Sequence, residues 1–397
     1  MDFQREHIGL LKKRVEEEPR QFIQVLYGPR QVGKTTLVHQ FLTQTDISYH
    51  FTSADAIPAA NVTWIAQQWE TARIKLSQLE EDKLILVIDE IQKIDNWSEQ
   101  IKKEWDKDSN TGIELYVIIL GSSRLMLKRG LTESLAGRYE SIYMGHWSYP
   151  EMKNAFGYLP EEYVWFGGYP GAAFLKEEEI RWKKYVKDAL IEPTVSNDIL
   201  MMTRIDKPAL MKQLFELGCS YSGQILSYNK ILGQLHDAGN TTTLSHYLDL
   251  LDSAGLLGGI SKFTPNKIRK RASSPKFQVY NTSLLSVQQS ESFEAIRAKP
   301  AEWGRWVESA VGAHLLNYSL KEDFELSYWR HRNDEVDFVI KQRDKIIGIE
   351  VKSTAAGPTT GMKAFQNNFE PYKMLLISES GLPWQEFLCI NPATLFN

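Results

Sequence analysis

The sequence is poor in cysteine and has no long apolar run. Cys219 and Cys389 are its only cysteines, and both lie in apolar stretches. Two such thiols cannot build a disulfide framework or a cysteine-based metal site, which indicates a cytoplasmic protein. The longest apolar runs, such as Leu115–Leu120, have the length of a strand and are far too short to cross a membrane, so we expect no membrane contact.

A secretory signal and an excess of positive charge are also missing. The first residues, Met1 to His7, are too polar for a signal peptide. The formal net charge is −4, so the whole chain has no electrostatic attraction to nucleic acid, and any contact with DNA must come from a local patch. The length of 397 residues is enough for about two to four domains.

The most specific motif lies near the start of the chain, between an apolar run and a segment with helical spacing. It consists of Gly28, Pro29, Arg30, Gln31, Val32, Gly33, Lys34 and Thr35, and Thr36 follows it. Strand, glycine loop and helix in this order are typical of a P-loop, whose backbone N–H groups surround a phosphate. We therefore predict that this loop binds ATP, with Lys34 on the β- and γ-phosphates and the Thr35 hydroxyl on Mg²⁺.

A second motif supplies acidic residues at the end of another strand. The apolar run Leu84–Ile88 reads as a strand buried on both faces, and Asp89 and Glu90 follow it. After a P-loop, such a pair predicts that Asp89 holds Mg²⁺ and that Glu90 polarises the water that attacks the γ-phosphate. An acidic pair without a P-loop would more often be a solvated strand end.

The region around these motifs alternates strands and helices, which predicts a parallel, doubly wound sheet. Another buried strand, Leu115–Leu120, ends in Gly121, Ser122 and Ser123. A serine at that tip would lie between the P-loop and Asp89 and face the γ-phosphate, although a plain serine turn is the alternative. The sequence does not separate Ser122 from Ser123.

Taken together, these motifs resemble those of one AAA-type group of prokaryotic P-loop ATPases that carry a C-terminal domain of long-unknown function. Ser134–Arg138 and Gly167–Gly171 also fit the resemblance. It implies a homo-oligomer, with a hexamer expected, in which Arg138 projects into the nucleotide of a neighbouring subunit and stabilises charge there. An arginine solvated at a helix end is the competing interpretation. We expect Gly167–Gly171 to form a structural turn without chemistry.

The middle of the chain predicts a DNA-contacting module. Helical segments run to about residue 200, as in an AAA-type lid, and three short helices and an apolar strand then give the pattern of a winged helix. The third helix carries Ser245, His246 and Tyr247, which would face a groove. The segment from Lys262 to Lys276 contains only basic charges, at Lys262, Lys267, Arg269, Lys270, Arg271 and Lys276, and would attract phosphates, although it could also be a solvated linker.

The last part of the chain contains a second set of charged residues. Glu308 lies on a predicted helix, Asp337 on a strand, and Glu350 and Lys352 two residues apart on the next strand. This arrangement resembles the active site of PD-(D/E)xK nucleases, which implies that Asp337 and Glu350 bind Mg²⁺ and that Lys352 positions the attacking water. Gly348, beside Glu350, leaves open that the carboxylates are kept only for structure.

These observations predict an α/β protein with an AAA-type parallel sheet, a helical lid, a winged-helix module and a restriction-endonuclease-like domain. The expected boundaries are 1–148, 149–205, 206–276 and 277–397. We expect an ATPase coupled to DNA processing, with repair, recombination, branched-DNA handling and defence all open. The alternative is a nucleotide-switched interaction protein whose C-terminal domain is catalytically silent.

Overall fold

The computed structural model of the chain describes residues 3–79, 82–122, 131, 134–199, 205–235, 239–264 and 273–397. It divides the chain into two compact units, residues 1–144 and 145–397. In the described ranges, no helix is both long enough and apolar enough to cross a membrane.

The first unit is built on a five-stranded sheet in which every pair of neighbours is parallel. Its strands, in the spatial order β2-β3-β4-β1-β5, are β1 (Ile23–Tyr27), β2 (Tyr49–Ser53), β3 (Leu84–Asp89), β4 (Leu115–Gly121) and β5 (Tyr139–Tyr143). Its helices are α1 (His7–Lys12), which continues as a π-helical turn at Lys13–Glu17, α2 (Lys34–Leu42), α3 (Thr63–Ser77), a 3₁₀ turn at Ile91–Lys93, and α4 (Trp97–Thr111). The predicted parallel α/β architecture is confirmed.

Burial on both faces explains the continuous apolar runs. In β3, Leu84, Leu86 and Ile88 belong to one core cluster, and Ile85 and Val87 belong to a second cluster. Successive side chains of a strand point to opposite faces, so helices must cover the sheet on both sides. The sequence analysis missed β5, because this edge strand is only partly buried and lacks an apolar run.

A buried group of charges joins α3 to α4. Asp108 is fully buried, accepts a hydrogen bond from Trp69 Nε1 at 2.6 Å and pairs with Arg73 Nε at 2.8 Å. Arg73 also pairs with Glu104 at 2.8 Å and with Glu70 at 3.3 Å. Because the carboxylate of Asp108 has a charged and a neutral donor, its burial is compensated.

The second unit begins with helices and short turns. Its first elements are α5 (Tyr149–Phe156), α6 (Pro160–Phe166), a 3₁₀ turn at Pro170–Leu175, α7 (Glu179–Tyr185), and π-helical turns at Val186–Ile191 and Thr194–Asp198. The turn at Gly167–Gly171 is packed closely, since a Cβ at Gly167 would collide with Asn281 Oδ1 and one at Gly168 with the Trp147 carbonyl oxygen. Asn281 Oδ1 accepts a hydrogen bond from Gly168 N at 3.0 Å. The predicted structural role of this turn fits these contacts.

A six-stranded sheet follows, in the spatial order β11-β10-β9-β8-β6-β7. Its strands are β6 (Leu257–Lys262), β7 (Lys276–Val279), β8 (Glu325–His331), β9 (Asp334–Gln342), β10 (Lys345–Val351) and β11 (Lys373–Ile377). The remaining elements are α8 (Pro208–Ser220), α9 (Tyr228–Leu232), α10 (Thr241–Ser253), α11 (Ser283–Ser286), α12 (Phe293–Arg297), α13 (Pro300–Ser319), α14 (Thr360–Phe369), α15 (Trp384–Phe387) and a 3₁₀ turn at Pro392–Phe396.

This sheet contains strands from both sides of a predicted domain boundary. The boundary at 276/277 falls inside β7, and β6 pairs in parallel with β8 through Ser261 and Ser327. The three helices α8, α9 and α10 lie where the winged-helix pattern places them, but their strands extend the C-terminal sheet. The division of residues 145–397 into three domains stays a prediction.

The charged group on α3 and α4 generates a stability prediction. Asp108→Ala should lower the free energy of unfolding by about 3 kcal/mol, because it removes one partner of a buried ion pair and the acceptor of Trp69. Glu70→Gln, which changes the exposed partner of the same arginine, should cost less than about 0.5 kcal/mol. Urea denaturation followed by circular dichroism measures both, and equal losses would contradict the assignment.

Candidate functional site

The P-loop is formed between β1 and α2. Gly33 has φ +88° and precedes the first residue of α2, so the loop enters the helix through a left-handed conformation that suits glycine. Lys34 is buried, and its Nζ donates to the carbonyl oxygens of Gly28 at 3.0 Å and Pro29 at 2.7 Å. The ammonium therefore lies against the loop that is expected to hold phosphates.

Thr35 and Asp89 meet across the sheet edge. The Thr35 hydroxyl donates to Asp89 Oδ2 at 2.9 Å, and Asp89 Oδ1 accepts from Glu90 N at 2.9 Å. Burial raises the pKa of Asp89, the hydrogen bond from Thr35 opposes this, and the nearby Glu90 charge adds to it. A hydroxyl and a carboxylate that converge on one point are suitable ligands for Mg²⁺.

Glu90 is held by two neighbours. Its Oε2 accepts from Gln92 Nε2 at 2.5 Å and from Ser122 Oγ at 3.2 Å, and its backbone has φ +53°, which is unusual for a residue with a side chain. Ser122 thus lies where the sequence predicts a γ-phosphate contact, while Ser123 lies outside the described residues. The sequence analysis missed Gln92, although its position two residues after Glu90 could have drawn attention to it.

Most of these groups line one cavity of about 370 Å³. The described residues that line it lie at strand ends or loops that meet at one sheet edge or at the start of α2: Arg30, Gln31, Gly33, Lys34, Thr35, Thr36, Ser53, Asp55, Asp89, Glu90 and Ser122. The sequence analysis did not identify Ser53 and Asp55. They reach the cavity because β2 pairs with β3, which places Ser53 opposite Asp89. The cavity has a volume suited to a small polar ligand.

Arg138 lies just before β5 and contacts its own chain. Its Nε and Nη2 donate to Asp106 Oδ1 and Oδ2 at 2.7 and 3.0 Å, a bidentate pair that raises the pKa of the guanidinium. Ser134–Arg138 form a turn in which Gly137 has φ +78° and which leads into β5. Whether Arg138 also serves a neighbouring subunit stays a prediction.

Two residues predicted to face DNA are buried instead. Tyr247 on α10 is 4% exposed, and its hydroxyl accepts from Lys207 N at 3.2 Å, whereas His246 is exposed. Lys276 is 0% exposed, so its assignment to a phosphate-binding segment is wrong; it is the first residue of β7 and points into the unit. Four other basic residues of that segment, Lys267, Arg269, Lys270 and Arg271, lie outside the described residues.

The second set of charged residues does come together in the C-terminal sheet. Lys352 Nζ lies 2.9 Å from Glu350 Oε1, and Asp337 Oδ2 accepts from Val351 N at 2.8 Å. Glu308, from α13, lies 2.7 Å from the buried Nζ of Lys276. The sequence analysis did not assign Lys276 to this group, although Lys276 contacts both Glu308 and Asp337. The only local sign of its burial is the apolar Phe277 that follows it.

Burial and charge perturb this group strongly. Burial raises the pKa of Glu308 to about 7 against the pull of Lys276, and burial and the charge of Asp337 raise the pKa of Glu350. For Lys352, burial opposes the charged form, but Asp337 and Glu350 outweigh it and raise the pKa. Among the described residues, no three His, Cys, Asp or Glu side chains are arranged to hold a metal ion.

Three domain families match parts of the chain. Residues 20–153 match an AAA domain, residues 158–292 match a domain of unknown function named DUF8612, and residues 303–386 match a domain of unknown function named DUF4143. The AAA match agrees with the parallel sheet and the loop geometry of the first unit. The other two matches give no function.

Similar proteins from one archaeon are themselves uncharacterised. MJ1544 of Methanocaldococcus jannaschii is 24% identical over 381 residues, which cover 89% of this chain and 80% of that protein. MJ1637 of the same organism is 23% identical over 376 residues, or 83% of this chain and 74% of that protein. Their names state no activity.

Two solved structures have a low similarity to this chain. The structure of the Aeropyrum pernix ORC1 protein in complex with DNA has 15% identity and a TM-score of 0.32, and the alignment covers 73% of this chain and 92% of that one. A structure from a study of katanin self-assembly has 16% identity and a TM-score of 0.30 over 41% of this chain and 56% of that one. TM-scores of this size do not establish a shared overall fold.

The contact between Ser122 and Glu90 generates a prediction. Ser122→Ala should lower kcat for ATP by about tenfold with little change in nucleotide affinity, because one hydrogen bond that orients Glu90 is lost. Ser77→Ala, which removes a hydroxyl bonded to Ile74 O on the exposed side of α3, is the control and should keep the parent rate. A normal kcat for Ser122→Ala would contradict this role and indicate that the serine only forms part of a turn.

Proposed function

We propose that the first unit hydrolyses ATP with Mg²⁺. The observation that carries this proposal is the convergence of Lys34, Thr35, Asp89 and Glu90 on one cavity at the carboxyl ends of β1 and β3. Nucleotide binding needs the first three, whereas hydrolysis also needs a carboxylate that can orient water. The hydrogen bonds from Gln92 and Ser122, which fix the carboxylate of Glu90, support that role.

Each residue has a distinct part in the proposed reaction. The loop amides and Lys34 would hold the phosphates, and Thr35 with Asp89 would hold Mg²⁺, which neutralises phosphate charge when bound. Glu90 would accept a hydrogen bond from the attacking water and so orient it in line with the bond that breaks. Lys34 would exchange its two loop carbonyls for phosphate oxygens, which are stronger, charged acceptors.

We further propose that the protein is a homo-oligomer, with a hexamer as the first candidate, and that ATP turnover is coupled to DNA. The support for DNA contact is the basic sequence between Lys262 and Arg271 and the order of α8, α9 and α10 before a strand. Stimulation of ATP turnover by DNA would favour this coupling. Indifference to DNA would favour a nucleotide-switched interaction protein.

Glu90→Gln tests the hydrolytic role. This change should leave ATP binding near normal and lower turnover by roughly 10²-fold or more, because the amide cannot take up the proton or polarise the water as a carboxylate does. Lys34→Ala should instead weaken binding itself. Equilibrium binding of a labelled nucleotide and steady-state phosphate release separate the two effects, and a parent rate for Glu90→Gln would refute the assignment.

The pair of Arg138 and Asp106 permits a test of action between subunits. If Arg138 acts on a neighbour's nucleotide, Arg138→Ala should lower turnover by about 10³-fold, whereas Asp106→Asn should leave turnover intact because it only releases the arginine. A purely structural ion pair would make both variants lose stability together without a selective loss of turnover.

Mixed oligomers provide the independent readout. Subunits with Lys34→Ala and subunits with Arg138→Ala should regain some turnover when they co-assemble, since some interfaces then combine an intact loop with an intact arginine. If the subunits co-assemble but ATP turnover does not recover, Arg138 has only a structural role.

A further inference from the structure

We propose that Lys276 is the resident cation of the C-terminal carboxylate cluster and takes the place that a divalent metal occupies in the nucleases this domain resembles. The cluster consists of Glu308, Asp337, Glu350 and Lys352, with Lys276 at its centre. In consequence, this site binds no Mg²⁺ and the domain does not cut DNA. The proposal concerns the second unit alone and does not depend on ATP hydrolysis by the first.

The contacts of Lys276 are those of a bound cation. Its Nζ lies 2.7 Å from Glu308 Oε1 and 3.7 Å from Asp337 Oδ1, and it donates to the Asp337 carbonyl oxygen at 3.1 Å. It also lies 4.6 Å from the centre of the Phe338 ring. The side chain is fully buried, so this ammonium has exchanged its water shell for a fixed set of oxygens and an aromatic face.

The carboxylates are largely committed to partners within the chain. Asp337 Oδ2 accepts from Val351 N, and Glu350 Oε1 pairs with Lys352. Glu350 Oε2 is buried and has no hydrogen-bond partner, which offers one oxygen to a ligand. Mg²⁺ requires about six oxygens in octahedral geometry, and contacts within the chain already engage Glu308 Oε1, Asp337 Oδ2 and Glu350 Oε1.

Charge balance leads to the same conclusion. Three carboxylates and two ammonium groups leave a formal charge of −1 in the cluster. With Lys352 as the only cation the charge would be −2, which a divalent ion can neutralise. Lys276 removes one of these charges and places an ammonium between Glu308 and Asp337, where a second cation would be repelled.

A comparison of the parent protein with Glu350→Gln is the first test, because both should fold. Nucleotide-free protein is titrated with Mn²⁺ and the bound ion is counted by calorimetry and electron paramagnetic resonance. We expect the same binding for both proteins, since the ATP site is unchanged between them. One Mn²⁺ per chain that is present in the parent and lost in Glu350→Gln would overturn the proposal.

The second test removes the lysine. Lys276→Met should bind one more Mn²⁺ per chain than the parent, and adding Glu350→Gln should abolish that extra site. Lys276→Met with Glu308→Gln removes the lysine but keeps the formal charge of −1, so it should gain no site. Lys299→Met, which changes an exposed lysine paired with Glu291, is the matched control and should gain no site.

A folded Lys276→Met protein that gains no Mn²⁺ would contradict the proposal. If Lys276→Met does not fold, the comparison of the parent with Glu350→Gln decides the question alone. As a direct readout of chemistry, the parent should leave single-stranded, duplex and four-way-junction DNA intact with Mg²⁺ or Mn²⁺. If the parent cleaves DNA, and Glu350→Gln abolishes this cleavage but Glu90→Gln does not, the domain is a nuclease and the proposal is wrong.

Discussion

The nucleotide site depends on the parallel alignment of β3, β4 and β1. Hydrogen bonds pair Ile88 with Ile119 and Tyr27 with Gly121, so the three carboxyl ends meet at one edge. Neighbouring strands lie about 4.8 Å apart, which brings side chains from distant parts of the chain within hydrogen-bond reach. Thr35 can therefore contact Asp89, and Ser122 can contact Glu90, without any long or flexible side chain.

The same edge also determines how the site is held before a nucleotide arrives. Lys34 donates to carbonyl oxygens of its own loop, and Gln92 and Ser122 hold Glu90, whose positive φ carries a conformational cost of about 1–2 kcal/mol. Such a cost is tolerated where packing on both faces of the sheet stabilises the surrounding backbone. The P-loop and the carboxylates of Asp89 and Glu90 are thus positioned by one sheet.

The two acidic sites of the chain differ in where their positive charge comes from. At the first site, Asp89 and Glu90 face a cavity, and the nearest lysine is bound to the P-loop. At the second site, Lys276 and Lys352 pair directly with the carboxylates of Glu308 and Glu350. An open acidic site can accept a metal ion and a charged ligand, whereas ammonium groups within a site already balance most of its negative charge.

Local patterns in the sequence were sufficient for much of the first unit. The P-loop, the strand before Asp89 and the strand before Ser122 could be predicted because glycine positions and apolar runs determine turns and burial over a few residues. The strand β5 was not predicted, since an edge strand with one exposed face has a weak pattern.

Pairings between distant residues could be recognised only in the tertiary structure. The contacts of Ser122 with Glu90, of Arg138 with Asp106, and of Lys276 with Glu308 and Asp337 join residues that lie more than thirty positions apart or come from separate elements. A periodic pattern specifies which face of an element is buried, but it does not specify which neighbour lies there. The sequence by itself thus determined the P-loop and the acidic end of the strand beside it, because both are local patterns. The tertiary structure decided which charges the C-terminal carboxylates meet, because that depends on β7 bringing Lys276 into the cluster.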